Sequence, residues 1–198
     1  MSSLIRVFLL FSLYVTTYAR VHPVVHPAQT LPRPAAVKPD VVSKACDPSV
    51  DKALCVSVLK SQKFSDVNDL KQATFVAIQT ASQEAVATSE MIKATRQKEE
   101  NKEVEEDEIE EETLADCAMS YLSIVEMLAD ATSALMTGPQ TDVTVDVKAA
   151  LSTSDTCEMS IAGGRKSRQV EEVAKKNANM KKLCSNALGV YDVFAKGH

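Results

Sequence analysis

Residues 114–135 read LADCAMSYLSIVEMLADATSAL. Leu114, Cys117, Tyr121, Ile124, Leu128, Ala131 and Leu135 follow one another at alternating steps of three and four. That spacing keeps a single stripe on one side of an α-helix and continues over three heptads. Gly138-Pro139 then stops the helix. Working outward, neither Gly nor Pro occurs between Ser49 and Thr137. β-Proteins punctuate their short strands with such residues, so this stretch predicts long helices.

Three further stripes flank the first. Leu70, Ala77, Ala81, Ala85 and Met91 or Ile92 share a face, and Ser65 or Asp66 is the expected cap, with Asp69 in the first turn. Val143, Val147, Ala150 or Leu151, Ser154, Cys157 and Ile161 share another, starting around Asp142 to Thr144 and ending at Gly163-Gly164. Val170, Val173, Asn177, Met180, Cys184, Ala187, Tyr191 and Phe194 form the last, from about Arg168 to Ala195. Four amphipathic helices with short connections predict an all-α fold, an up-down-up-down four-helix bundle. The Gly breaks disfavour a two-chain coiled coil.

The amino terminus is an address. Met1–Ala19 combines Arg6, an apolar run from Val7 to Val15 and a small-x-small site at Thr17-Tyr18-Ala19. The run falls short of the roughly 20 residues that span a bilayer, so 1–19 is read as a secretory signal peptide. Secretion is expected, with no membrane association once the signal is cleaved. Residues 20–43 carry five Pro and are read as an extended arm, leaving 44–196 as the folded domain. His22 and His26 lie in that arm and are read as linker residues rather than metal ligands.

Composition narrows the function. Of 198 residues, 45% are hydrophobic and 25% charged, which fits one globular domain. A net charge of -5 argues against nucleic acid as a partner. With three His, all in the arm or at the terminal His198, nucleophilic triads lack a base. The tract Glu99–Glu112 holds ten acidic residues with only Lys102 opposing them, and no Gly-containing calcium loop. Like charges at helical spacing predict that it frays between the first and second long helices. No catalytic residue, metal site or cofactor is expected. Arg165-Lys166-Ser167-Arg168, at a helix start, opposes the helix dipole and is read as a flexible loop.

An oxidising route makes disulfides the default state of the five Cys: Cys46, Cys55, Cys117, Cys157 and Cys184. On one straight helix Cys46 and Cys55 would stand roughly 13 Å apart, too far to bond. A bridge there needs the chain to fold back, and Asp47-Pro48 suits the cap and first residue of a short helix. Cys117 near the start of one long helix and Cys157 toward the end of the next are natural neighbours in an antiparallel pair. Cys184 lies on a buried stripe and reads as an inert core thiol.

The C-x8-C and C-x39-C spacings, with three local words, resemble the plant invertase and pectin methylesterase inhibitor family. Leu114-Ala115-Asp116-Cys117, with Tyr121 after it, is similar to that family's L-x-D-C-x-x-x-Y start of a helix. The run from Lys148 to Cys157 is similar to its S-A-A-L-T-x-x-D-T-C segment, and Leu183–Leu188 to L-x-S-N-A-L. The resemblance implies an N-terminal helical hairpin before the bundle. It implies the pairs Cys46–Cys55 and Cys117–Cys157, with Cys184 left as a free thiol, and no catalysis. It implies one-to-one binding of a cell-wall enzyme, as a monomer in the apoplast. Pro139-Gln140-Thr141 stands where invertase inhibitors usually carry Pro-Lys-Phe. The expected partner is therefore pectin methylesterase, with acid invertase as the alternative target. A wall-associated structural protein without inhibitory action is the remaining reading.

Overall fold

Local sequence sets where each helix starts. The computed structural model describes residues 39–61, 67–99, 108–164 and 167–197. These form six helices and no strand: α1 Pro39–Cys46, α2 Lys52–Leu59, α3 Leu70–Glu99, α4 Glu108–Thr137, α5 Gln140–Gly163 and α6 Arg168–Lys196. Residues 1–38 lie outside the described part, and with them the expected signal peptide, most of the arm and both arm histidines.

The hairpin differs in detail from the sequence reading. α1 opens at Pro39, so the last five residues assigned to the arm are helical. A Pro in first position loses only an N–H that a helix start leaves unpaired anyway, which explains the placement. Asp47-Pro48 forms a turn rather than a cap and first residue. Asp51 caps α2 instead, its carboxylate accepting the Leu54 N–H at 3.0 Å. The chain thus folds back between α1 and α2, and Cys46 is bonded to Cys55 with Cα atoms 5.7 Å apart.

α3 also starts later than the sequence suggested. Its cap is Asp69, which accepts the Gln72 N–H at 2.8 Å, while the Gln72 side chain accepts the Asn68 N–H at 2.7 Å. The two bonds together satisfy donors at the start of the helix and in the residue before its cap. The delay has a packing cause: Val67 is completely buried against the hairpin with Val42, Leu59 and Ala73. Ser65 and Asp66 lie outside the described residues.

α3 to α6 make the four-helix bundle. α3 packs on α4 and α6, and α5 packs on the same two. All seven residues of the 114–135 stripe are buried, as are Val143, Val147, Ala150, Ser154 and Cys157 of α5 and the whole predicted stripe of α6. Ile161 is only half-buried, since it sits in the last turn of α5. Each large side chain so enclosed contributes about 1.5–3 kcal/mol relative to exposure. Cys117 is bonded to Cys157, Cα atoms 4.7 Å apart, across the α4–α5 pair.

Polar contacts fix the register. Arg96 of α3 pairs with Glu111 of α4 at 2.6 Å, and Lys176 of α6 with Glu84 of α3 at 2.9 Å. Lys181 of α6 bridges to Asp155 at 2.8 Å and to Glu158 of α5. Partly exposed pairs of this kind contribute about 0–1 kcal/mol each, so they orient the helices more than they hold them.

The two ends of the acidic tract fall within helices. Glu99 closes α3 and Glu108 to Glu112 open α4, while residues 100–107 lie outside the described part. Carboxylates in the first turn of a helix meet the positive end of its dipole, which offsets their mutual repulsion. Glu111 is further satisfied by Arg96, and Glu110 accepts the Ser167 hydroxyl at 2.7 Å. Ser167 in turn caps α6 through the Val170 N–H at 3.1 Å. Arg168 is accordingly the first residue of a helix, not part of a loop. Arg165 and Lys166 lie outside the described residues.

Asn186 couples the hairpin to the bundle. Its side-chain oxygen accepts the Asp51 N–H at 3.1 Å and its amide donates to the Asp51 carbonyl at 2.9 Å. Lys182, one turn earlier on α6, reaches the Asp51 carboxylate at 3.2 Å. The Leu54 N–H first, and then Lys182, hold that carboxyl below its usual range. Asn186→Ala leaves both Asp51 backbone groups without these partners, part-buried. A loss of about 1–3 kcal/mol is expected, with faster amide exchange at Asp51 and Leu54 than at bundle-core positions. Uniform exchange across hairpin and bundle would show that Asn186 does not clamp them.

Candidate functional site

The core offers no chemistry to a substrate. Tyr121 is fully buried and donates a long hydrogen bond of 3.4 Å to the Asn177 side-chain oxygen. The Asn177 amide donates to the Ser154 carbonyl at 2.9 Å. Burial, above all, pushes the Tyr121 hydroxyl well above its usual pKa. This is a closed polar layer linking α4, α5 and α6, and it favours one helix register over its neighbours. The function of Asn177 was missed in the sequence, although a polar residue within an apolar stripe is the available signal.

Cys184 sits in the same interior, its thiol 3.8 Å from the Met180 sulfur. Burial pushes its pKa up to about 12. A thiol that remains protonated and enclosed is a poor nucleophile. In the intact protein Cys184 is expected to resist iodoacetamide, and to react at the rate of a free thiol once denaturant unfolds the chain. Rapid labelling in the native state would show an opening of the α6 core. Among the described residues no group of three His, Cys, Asp or Glu is placed to hold a metal ion. Nor is any described helix long and apolar enough to cross a membrane.

The surface is more informative. Eight large hydrophobic residues are exposed among those described, and six of them lie on α4 or α5. Met119 is 71% exposed and Leu122 59% on α4; Met159 is 67% exposed and Val145 63% on α5. Their outward placement follows from the buried stripes. Met119 and Met159 each stand two residues beyond a half of the Cys117–Cys157 bridge, and two residues turn a helix by about 200°. The bridge faces the core, so both methionines face away from it, within about one helical turn of each other along the bundle.

Two polar contacts cross the α4–α5 seam. Ser160 donates to the Asp116 carboxylate at 2.9 Å, and Thr153 lies 3.6 Å from the Met127 sulfur. At the other end of the pair, beside the Gly138-Pro139 connection, Asp130, Asp142 and Asp146 gather. Burial first, and then Asp130 and Asp142, push the Asp146 carboxyl above its usual pKa. The pair thus presents exposed apolar side chains along both helices, with negative charge beside them. Such a surface suits contact with another macromolecule.

Comparison with known proteins agrees with this architecture. A family model described as plant invertase/pectin methylesterase inhibitor matches residues 40–190. A crystal structure of mutant form A of a pectin methylesterase inhibitor from Arabidopsis superposes with a TM-score of 0.63 at 22% identity. That alignment covers 76% of this chain and 95% of the Arabidopsis one. A crystal structure of a pectin methylesterase inhibitor from Arabidopsis thaliana gives 0.56 at 21% identity, covering 78% and 96%. At these identities the likeness speaks for the fold alone. A search of curated proteins returned no match. The family match takes in both helices of the hairpin from Asp40 on, all four cysteines of the two bridges and the bundle as far as Val190 in α6; the chain belongs to the plant invertase/pectin methylesterase inhibitor family, whose members are inhibitors and not enzymes.

Proposed function

We propose that this protein is a secreted, monomeric inhibitor of a cell-wall pectin methylesterase. It binds the enzyme one to one and reversibly, and covers the substrate cleft with the outer faces of α4 and α5. The observation that carries the reading is the concentration of exposed large hydrophobics on those two helices. Their inner faces are committed to the core, so these outward residues are free to meet a partner. Family membership supplies the enzyme class, and Gln140 and Thr141 in place of Lys and Phe favour the pectin methylesterase branch. Residues 1–19 act as the signal peptide on this reading.

The mature chain, titrated into a plant pectin methylesterase and an acid invertase in parallel, is expected to inhibit the first. The inhibition should be stoichiometric, reversible and competitive with pectin. Inhibition of invertase with no effect on pectin methylesterase would reverse the target assignment. Retention on pectin without inhibition of either enzyme would point to a structural role in the wall.

A further inference from the structure

Sulfur is distributed unevenly between the surface and the interior. Met119 is 71% exposed, Met159 67% and Met136 55%. Met119 and Met136 lie on α4 and Met159 on α5, so every exposed sulfur-bearing residue among those described belongs to the α4–α5 pair. The others are covered. Met180 and Cys184 are wholly buried in the α6 core, and the four bridged cysteines are buried as well. Met91 and Met127 are half-buried, with the Thr153 hydroxyl 3.6 Å from the Met127 sulfur.

Access decides which of these sulfurs an oxidant reaches. A thioether has no proton to lose, so its reaction with hydrogen peroxide needs neither a base nor a metal. The sulfur lone pair attacks one peroxide oxygen. The O–O bond breaks as the S–O bond forms, and the other oxygen leaves as water, carrying both hydrogens. Methionine is oxidised by two electrons to its sulfoxide, and the peroxide is reduced by the same two. A cysteine competes only as an accessible thiolate. Cys184 is enclosed with its pKa pushed up to about 12, and Cys46, Cys55, Cys117 and Cys157 are already disulfides.

From this placement we infer that Met119 and Met159 are peroxide-sensitive modification sites whose sulfoxides switch the inhibitory face off. The inference rests on the inhibitory reading above and adds a regulation of that same face. A sulfoxide turns a flexible apolar side chain into a polar one. Under an enzyme surface its oxygen loses water and needs a hydrogen-bond donor that the thioether never required. In the free protein both side chains stand in solvent, so the bundle keeps its stability. Each site acts by itself, and no contact between the two methionines is needed. Methionine sulfoxide reductases, one for each sulfoxide epimer, return the side chain to its apolar form.

The test treats the full mature chain with hydrogen peroxide and removes the excess with catalase before pectin methylesterase is added. Peptide mass mapping should find an added oxygen on Met119 and Met159 before any on Met180, with both disulfides intact and the melting temperature unchanged. Inhibition should fall by roughly tenfold or more and return after treatment with both reductases, recycled by thioredoxin. Met119→Leu combined with Met159→Leu removes these two sulfurs and leaves Met136 in place. The readout there is the variant's own inhibition before and after peroxide, and the two should agree. Full inhibition by a chain carrying both sulfoxides would overturn the inference and leave the inhibitory reading standing. An equal peroxide loss in the double-Leu variant, or oxidation of Met180 ahead of the exposed pair, would do the same. Failure of the untreated chain to inhibit would instead overturn that reading, and the switch with it, whatever the peptide map shows.

Discussion

Replacing Cys117 and Cys157 together by Ser is expected to lower the stability of the folded chain by roughly 2–5 kcal/mol. The bridge closes a loop with a sequence separation of 40. In the chain-entropy model a loop of that length restricts the unfolded chain by roughly 4 kcal/mol. The loop between Cys46 and Cys55, with a separation of 9, gives roughly 2.6 kcal/mol on the same relation. The two pairs also hold different structure. The first joins the two helices that carry the exposed apolar face, and both cysteines are wholly buried. The second staples a hairpin that Asn186 and Val190 of α6 already grip. Urea unfolding of the two double-Ser variants should therefore rank 117/157 as the more damaging. For a domain of this size each kcal/mol moves the melting temperature by about 2–4 °C. An undiminished melting point for the 117/157 variant would mean that packing alone sets the α4–α5 geometry. Peptide mapping without reduction checks the premise: Cys184 joined to any other cysteine would overturn the pairing.

The other large effect concerns inhibition. Met119→Glu combined with Met159→Glu is expected to weaken inhibition of pectin methylesterase by more than a hundredfold, with little change in melting temperature. Both side chains already face solvent, so a carboxylate there costs the free protein little. In the complex each carboxylate would be desolvated against the enzyme, and the few residues that dominate an interface account for about 2 kcal/mol or more each when lost. A hundredfold corresponds to about 2.7 kcal/mol, which two such sites supply. The control is Val50→Glu, equally exposed but on the hairpin turn. It should leave inhibition intact. Similar losses from the hairpin and the α4–α5 variants would move the contact surface away from the proposed face.

The acidic edge of α4 bears on the speed of that encounter. Glu111 and Glu110 are tied down by Arg96 and Ser167, so part of the negative field is held in place. A basic target would be attracted over distances of about the 8 Å screening length at physiological salt. The charge would act on association far more than on dissociation.

The four long helices were legible in the sequence because burial repeats. A residue must face the core every third or fourth position, and the stripes through Leu114–Leu135 and Val170–Phe194 record that constraint directly. The stop signals were equally local: Gly138-Pro139 and Gly163-Gly164 end helices wherever they are placed. The family words around Cys117, Cys157 and Asn186 named the architecture, although no reason for Asn186 in particular could be read from neighbouring residues. Its reason is the Asp51 backbone, 135 residues away in the chain.

What the sequence could not determine was set by contacts distant in the chain. Several aspartates near α2 and α3 have the right chemistry for a cap, and local propensity preferred Asp47 and Asp66. The structure uses Asp51 and Asp69 instead, because Val67 and the Cys46–Cys55 pair must first be buried together. The acidic start of α4 looked self-repelling when only neighbours in sequence were considered. Arg96, fifteen residues earlier, and Ser167, beyond α5, supply partners that periodicity does not reveal. By itself the sequence determined which residues turn inward, since that follows from a period along one helix. Which outward residues gather into one surface was decided only by the tertiary structure, because it depends on how α4 and α5 are aligned across the Cys117–Cys157 bridge.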